Sequence, residues 1–209
     1  MEILAYGEDA LTLWALKNKL GYILQELGDL PNSSKRLAFF RPSFGRRGGK
    51  NSSQFGEFDF ILLTANHIYL GESKWNNSSE RIIDGKLELR EEQLLRHKLF
   101  KFYIDEWAFG SYKVNEWHKF FNEAKPKLIQ GKIEKPIAPT NSLLAKNLQT
   151  VLQVIKKHYP DHKRPQITNL LLYFHANLSV DQLPQKAGKD FKVVSIDYSK
   201  ELARGYIKL

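Results

Sequence analysis

Ten residues in a row, Ile167 to Ala176 (ITNLLLYFHA), form an almost unbroken apolar run. A strand with one wet face alternates, whereas a continuous run is the pattern of a strand covered on both faces, as in the interior of an α/β sheet. Such a strand needs helical layers, and the flanking sequence offers them. Residues 8 to 27 place Leu13, Leu16, Leu20, Ile23, Leu24 and Leu27 on one face at helical spacing and stop at Gly28. Residues 88 to 107 are apolar on more than one side, with Leu95, Leu99 and Phe102 on one and Leu89, Phe100 and Ile104 on another, so this helix is expected to be largely buried. Ser142 to Lys157 gives a third.

Further strands are expected at Lys35 to Phe44, ending near Pro42, at Phe55 to Thr64, at His67 to Lys74 and at Phe191 to Tyr198. Asn76 to Lys86 reads as a polar loop. The order α, β, β, β, α, an insertion at about 108–165, then α, β, β predicts an α/β fold with a mixed central sheet flanked by helices. With 209 residues, a single domain spanning 1–209 is expected, burying about 70% of its unfolded surface. There is no cysteine, which excludes disulfides, thiolate metal sites and cysteine nucleophiles. Met1-Glu2 opens neither a basic n-region nor an apolar h-region, and no apolar stretch reaches membrane-spanning length. The expectation is a cytoplasmic protein with no membrane partner.

The stretch GEFDFILLTANHIYLGESKW, Gly56 to Trp75, carries charge where a buried hairpin should not. Side chains alternate along a strand, so Glu57 shares a face with Asp59, and Glu72 with Lys74. A two-residue turn at Ala65-Asn66, or its four-residue variant from Thr64 to His67, pairs position 64 with 67, 59 with 72 and 57 with 74. Asp59 then opposes Glu72, and all four charges lie on one face. Opposed like charges about 5 Å apart are destabilising. A hard divalent cation reverses that sign, because oxygen ligands suit Mg²⁺, and the lysine beside it could hold a water or a phosphate oxygen. A three- or five-residue turn would destroy the alignment, and an ordinary cross-strand Glu57–Lys74 ion pair is the plain alternative.

Gly56-Glu57-Phe58-Asp59 followed by Glu72-Ser73-Lys74 resembles the motif of the PD-(D/E)XK nuclease superfamily, with Phe58 in place of the motif's proline. Upstream, Gly7-Glu8-Asp9-Ala10 and Leu20-Gly21-Tyr22-Ile23-Leu24 look like the opening helix of its resolvase-like members. Downstream, Gln93 in REEQLLRH is similar to a helical glutamine found in several of its families. The resemblance covers roughly the first 105 residues. It implies a restriction-endonuclease-like αβββαβ core and a Mg²⁺-dependent DNA endonuclease, with Mn²⁺ able to substitute and 5′-phosphate ends as product. Asp59, Glu72 and the carbonyl of Ser73 would bind the metal. Lys74, expected to stay protonated beside two carboxylates, would act electrostatically. Glu8 would reach the metal through water and Gln93 would complete the site. For Glu8 the plain alternative is favourable placement at a helix N-terminus, and for Gln93 a structural hydrogen bond. A catalytically inactive nucleic-acid-binding module of the same fold, or an RNA-directed nuclease, is the alternative function.

A net charge of +9 fits an acidic partner, with DNA first. No acidic residue occurs from Ser33 to Gly56, whereas Arg41, Arg46, Arg47 and Lys50 lie there and are the candidate phosphate contacts, the alternative being a solvated basic loop. A homodimer is expected if both strands of a duplex are cut. Trp107, Phe109, Tyr112, Trp117, Phe120 and Phe121 are either stacking platforms for bases or, the favoured reading, core packing.

Overall fold

The protein is described from a computed structural model, which covers residues 3–29, 35–45, 56–110, 116–123, 127–129, 132–134, 137–159, 164–203 and 205–209. The chain divides into two compact units, one made of Met1–Arg41, Phe58–Arg90 and Gln166–Leu209, the other of Pro42–Glu57 and Glu91–Pro165.

The first unit is α/β. It begins with β1 (Leu4–Ala5), α1 (Glu8–Asn18) and α2 (Leu20–Glu26) and continues with β2 (Leu37–Phe40), β3 (Phe60–Leu63), β4 (His67–Trp75), β5 (Ile82–Ile83) and β6 (Lys86–Leu87). The second unit holds α3 (Glu91–Tyr103), α4 (Trp117–Glu123), the hairpin of β7 (Lys127–Ile129) with β8 (Lys132–Glu134), and α5 (Leu143–His158). The chain returns to the first unit with β9 (Gln166–His175), β10 (Lys186–Ala187), β11 (Phe191–Asp197), β12 (Leu202–Ala203) and β13 (Tyr206–Lys208).

Eight strands form one mixed sheet in the order β2-β3-β4-β9-β11-β10-β6-β5, and β1, β13 and β12 form a small second sheet. The apolar run is the sheet's centre: β9 lies parallel to β4 on one side and to β11 on the other. Both faces are closed. Leu170, Leu172 and Phe174 join Phe60, Leu62, Tyr69, Val194 and Ile196 in a cluster with α1 and α2, while Leu171 and Tyr173 on the other face are equally buried.

The expected single helix over 8–27 is two helices that meet at Lys19, whose ψ of 10° leaves the helical region. Each half therefore sets its own phase. In α1 the buried stripe is Ala10, Leu11, Trp14 and Ala15, and Leu13 is only half-buried. Gly28 closes α2 as expected. At φ 68° it lets Asp29 N–H reach the Leu24 carbonyl (2.9 Å) and its own N–H reach that of Gln25 (3.0 Å), the paired bonds of a Schellman cap. The stretch expected to be a loop at 76–86 contains β5 and β6, joined by Asp84-Gly85 with φ of 50° and 70°, the conformation of a two-residue type I′ turn.

In the second unit α3 runs on as a π-helical turn, Ile104–Ala108. Trp107, Trp117 and Phe120 are buried, and Tyr103 stacks on Trp117 at 5.6 Å. The Trp117 indole donates to the Ala138 carbonyl (3.0 Å), and the Tyr103 hydroxyl accepts from Ala138 N–H (2.9 Å). These rings are core, as favoured, and Phe109 packs edge-on against Tyr159. Tyr112 lies outside the described residues. Ser142 caps α5, its side chain accepting from Ala145 N–H at 3.1 Å.

Candidate active site

The register of β3 against β4 decides where the charges go. Phe60 faces Gly71, Ile61 faces Leu70, Leu62 faces Tyr69 and Leu63 faces Ile68. The turn between them is the two-residue one: Thr64 N–H donates to the His67 carbonyl (2.9 Å), and His67 N–H donates to Thr64 Oγ1 (3.1 Å). Continued by one step, that ladder sets Asp59 opposite Glu72, as the sequence predicts. Gly71 is what allows the pairing. A Cβ there would stand 2.2 Å from the Phe60 ring, so the ring occupies the space that any larger residue would need.

Asp59 bends away at the start of β3. Its carbonyl accepts from Arg41 N–H (3.0 Å), and its Oδ2 accepts from the Ser73 backbone N–H (2.7 Å). The carboxylate is thus turned onto the β4 backbone between Glu72 and Lys74. Glu72 and Lys74 are buried, at 1% and 6% exposure. The Lys74 ammonium donates to Glu8 Oε1 at 3.1 Å and to the carbonyl of Ser73 at 2.7 Å. Glu8 reaches it from the first turn of α1.

The electrostatics follow from this crowding. Burial, then the negative charge of Glu72, push the Asp59 carboxyl up to about 7, against the pull of Lys74 and the Ser73 amide. Burial also raises Glu8, with Glu80 and Asp9 adding to it, against the Coulomb attraction of Lys74 and its hydrogen bond. For Lys74, burial favours the neutral amine, but Glu8, Asp59, Glu72 and Glu80 together outweigh it and hold the group above its ordinary 10.5. Lys74 is therefore held as an ammonium by the four acidic groups around it.

Among the described residues no group of three or more His, Asp or Glu side chains gathers into a metal cage. The donor set still suits Mg²⁺, which characteristically takes one or two carboxylates and keeps its remaining positions for water and phosphate. Asp59 and Glu72 would supply those carboxylates, and burial together with the charge of Glu72 raises the proton affinity of Asp59. The Ser73 carbonyl, implied as a further ligand, is engaged by Lys74.

The other expected residues fall in different places. Arg41, at φ 47°, pairs through its guanidinium with exposed Asp9, so it lies beside the strand end that carries Asp59. Arg46, Arg47 and Lys50 lie outside the described residues. Glu57 forms an isolated bridge with Ser43 and belongs to the second unit. Gln93 also belongs there, half-buried in the first turn of α3.

Two features were not foreseen. Glu80, in the segment after β4, has a side chain only 9% exposed and lies 3.4 Å from Arg90, close enough to Glu8 and Lys74 to perturb both. Across the parallel strands, Lys74 pairs with Tyr173 and that with Ser195, and one step further His175 pairs with Asp197. His175 is buried, its Nδ1 has no hydrogen-bond partner, and burial lowers its pKa against the opposing effect of Asp197. The sequence signal for Glu80 is nil. For His175 it is the rule that sites in open α/β sheets form beyond the carboxyl ends of parallel strands.

Compared with known proteins, the chain matches no family model, no curated protein and no solved structure. Among the described residues no helix is long and apolar enough to cross a membrane.

Proposed function

We propose that this chain is a Mg²⁺-dependent DNA endonuclease with a restriction-endonuclease-like core. The observation that carries the reading is the β3–β4 register, which brings Asp59 and Glu72 opposite one another with buried Lys74 two residues on. The paired helices before three antiparallel strands, followed by a parallel return strand, agree with it. Asp59 and Glu72 would hold the ion, which supplies a Lewis acid for a phosphoryl oxygen and lowers the pKa of a bound water. Lys74, kept charged by its carboxylates, donates to the phosphate oxygen where negative charge develops. Glu8 orients that ammonium and maintains its protonation. The basic excess and Arg41 serve the backbone, and Gln93 completes the assignment by resemblance. Cleavage of both strands calls for two copies of the chain.

Supercoiled plasmid, branched DNA and RNA should be incubated with Mg²⁺, Mn²⁺ or EDTA. DNA cleavage is expected with either metal and not with EDTA, and Lys74→Ala should slow it by about 10²–10³-fold. Cleavage that is indifferent to both EDTA and Lys74→Ala refutes the assignment. RNA as the only substrate would transfer it to the RNA-directed alternative.

A further inference from the structure

The small second sheet presents aromatic rings that the fold leaves outside, and one of them touches Trp75 on β4. The small sheet pairs Leu4 with Lys208 and Ala5 with Ile207, so the next position sets Tyr6 beside Tyr206. Ile207 is buried, while Tyr206 and Lys208 on either side of it are exposed, which defines an outer face. Leu4 and Tyr6 belong to that face, at 44% and 66% exposure. Tyr6 meets half-buried Trp75 edge to face, with centroids 5.4 Å apart at 81°, and meets Tyr206 at 6.1 Å and 66°.

These rings are adjacent in the chain to the residues of the site. Trp75, one residue past Lys74, points to the opposite face of β4 and packs with the α1–α2 cluster, so the link to the site is Tyr6, two residues before Glu8, whose carboxylate accepts from the Lys74 ammonium. Two residues of chain span about 7 Å at most. Gly7 between them adopts φ 90° with ψ −176°, a conformation open to glycine, so the turn from ring to helix is fixed by residue type.

We propose that Tyr6 and Tyr206, backed by Trp75, form a ledge on which an unpaired nucleobase stacks while its neighbouring phosphate lies at Asp59, Glu72 and Lys74. This rests on the phosphodiesterase reading and deepens it, because it names the substrate class: single-stranded, flapped or locally unpaired nucleic acid rather than continuous duplex. The chemistry favours a base over other occupants. Exposed aromatic faces take any base without reading sequence, the phenol tips tolerate water, and Lys208 on the same outer face matches a polyanion in charge. A continuous duplex keeps its bases stacked inward and has nothing to offer the rings.

The test is binding of the full chain, in EDTA, to labelled oligo(dT), oligo(U) and a blunt duplex of equal length, with a 2-aminopurine oligonucleotide to report stacking. Tyr6→Leu combined with Tyr206→Leu should weaken single-strand binding by about 5- to 150-fold. The same pair should restore the 2-aminopurine fluorescence that the parent quenches, and leave duplex affinity unchanged. Tyr6→Phe combined with Tyr206→Phe should bind as the parent does, since the ring and not the hydroxyl does the stacking. The dT and U arms tell a DNA ledge from an RNA one. The ledge is overturned by unchanged single-strand affinity in the leucine pair, by equal loss on duplex, or by a parent that binds no single strand. Cleavage abolished by Lys74→Ala alongside an unchanged leucine pair would remove the ledge alone. Cleavage indifferent to Lys74→Ala would remove the hydrolytic reading, leaving the ledge to be judged on binding in EDTA.

Discussion

Replacing Asp59 by asparagine should make the protein more stable and inactive at once. The carboxyl is displaced from its ordinary 3.8 to about 7 by burial and by Glu72. In the unfolded chain it titrates normally, so between those values the folded state binds more protons and stability falls as pH rises. The contribution is fully present below about pH 4 and fully lost above about pH 7. At 1.36 kcal/mol for each pH unit, the cost of the ionised group near neutrality is at most about 4 kcal/mol. Asparagine keeps an oxygen that can accept from Ser73 N–H and carries no charge, and the attraction of Lys74 is already contained in that figure, so a gain of about 2–4 kcal/mol is expected at pH 7.5. Urea unfolding of both proteins without metal, at about pH 4 and pH 7.5, measures it: the curves should nearly coincide at the lower pH and separate at the higher. Millimolar MgCl₂ at pH 7.5 should stabilise the parent, because an ion that binds only the folded state adds to its stability, and should leave the asparagine variant unmoved. An asparagine variant less stable than the parent at pH 7.5, or a gap independent of pH, refutes the electrostatic account of the site.

Two further substitutions test the parts that position it. Gly71→Ala drives a Cβ into the Phe60 ring and should cost about 1–3 kcal/mol, recovered in part by adding Phe60→Leu; a neutral effect on the urea midpoint would mean that the hairpin can shift its register. Asp29 Oδ2 accepts from Thr64 Oγ1 (2.7 Å) and the Tyr69 hydroxyl (3.0 Å), with His67 Nδ1 3.3 Å away, and so ties the hairpin turn to the end of α2. Asp29→Ala strands the buried Tyr69 hydroxyl and leaves the Thr64 hydroxyl only the long contact to the His67 carbonyl (3.5 Å), and should cost about 1–3 kcal/mol, less when combined with Tyr69→Phe; a loss below about 0.5 kcal/mol contradicts the role given to the network.

The parts of this molecule that sequence reasoning reaches are those fixed by parity or by local chemistry. A two-residue turn determines which side chains oppose one another, so the Asp59–Glu72 alignment follows from Ala65-Asn66 alone. The apolar run of β9 announces its own burial, and Ser142 and Gly28 mark helix ends by side-chain and backbone chemistry that acts within a few residues. The break at Lys19 escapes because Leu13 and Leu16 fit a continuous helical stripe well enough to hide a change of phase. The β5–β6 hairpin was legible in Asp84-Gly85, but its polar surroundings read as loop. Tyr6 beside Tyr206 depends on pairing between the two ends of the described chain, and Glu80 depends on a fold-back through space; neither leaves a local trace.

Where the charges collect has a topological cause. β4 is a strand at which the sheet changes from antiparallel to parallel, with β3 on one side and β9 on the other. At that edge β3 starts while β4, β9 and β11 finish, so Asp59, Lys74, His175 and Asp197 sit at strand termini, with Glu72 one turn of the pleat inside. The middle of each strand is sealed by Phe60–Leu63, Ile68–Leu70 and Leu170–Leu172, where an ion would be prohibitive. The N-terminus of α1 arrives at the same edge, and its dipole favours the carboxylates of Glu8 and Asp9. Nothing in the fold requires this cluster, since apolar residues of similar volume would pack there at lower cost. Burial and the charge of Glu72 make the Asp59 carboxylate a standing penalty beside Lys74, and a penalty of that kind, concentrated at one sheet edge, is what the proposed hydrolytic role accounts for.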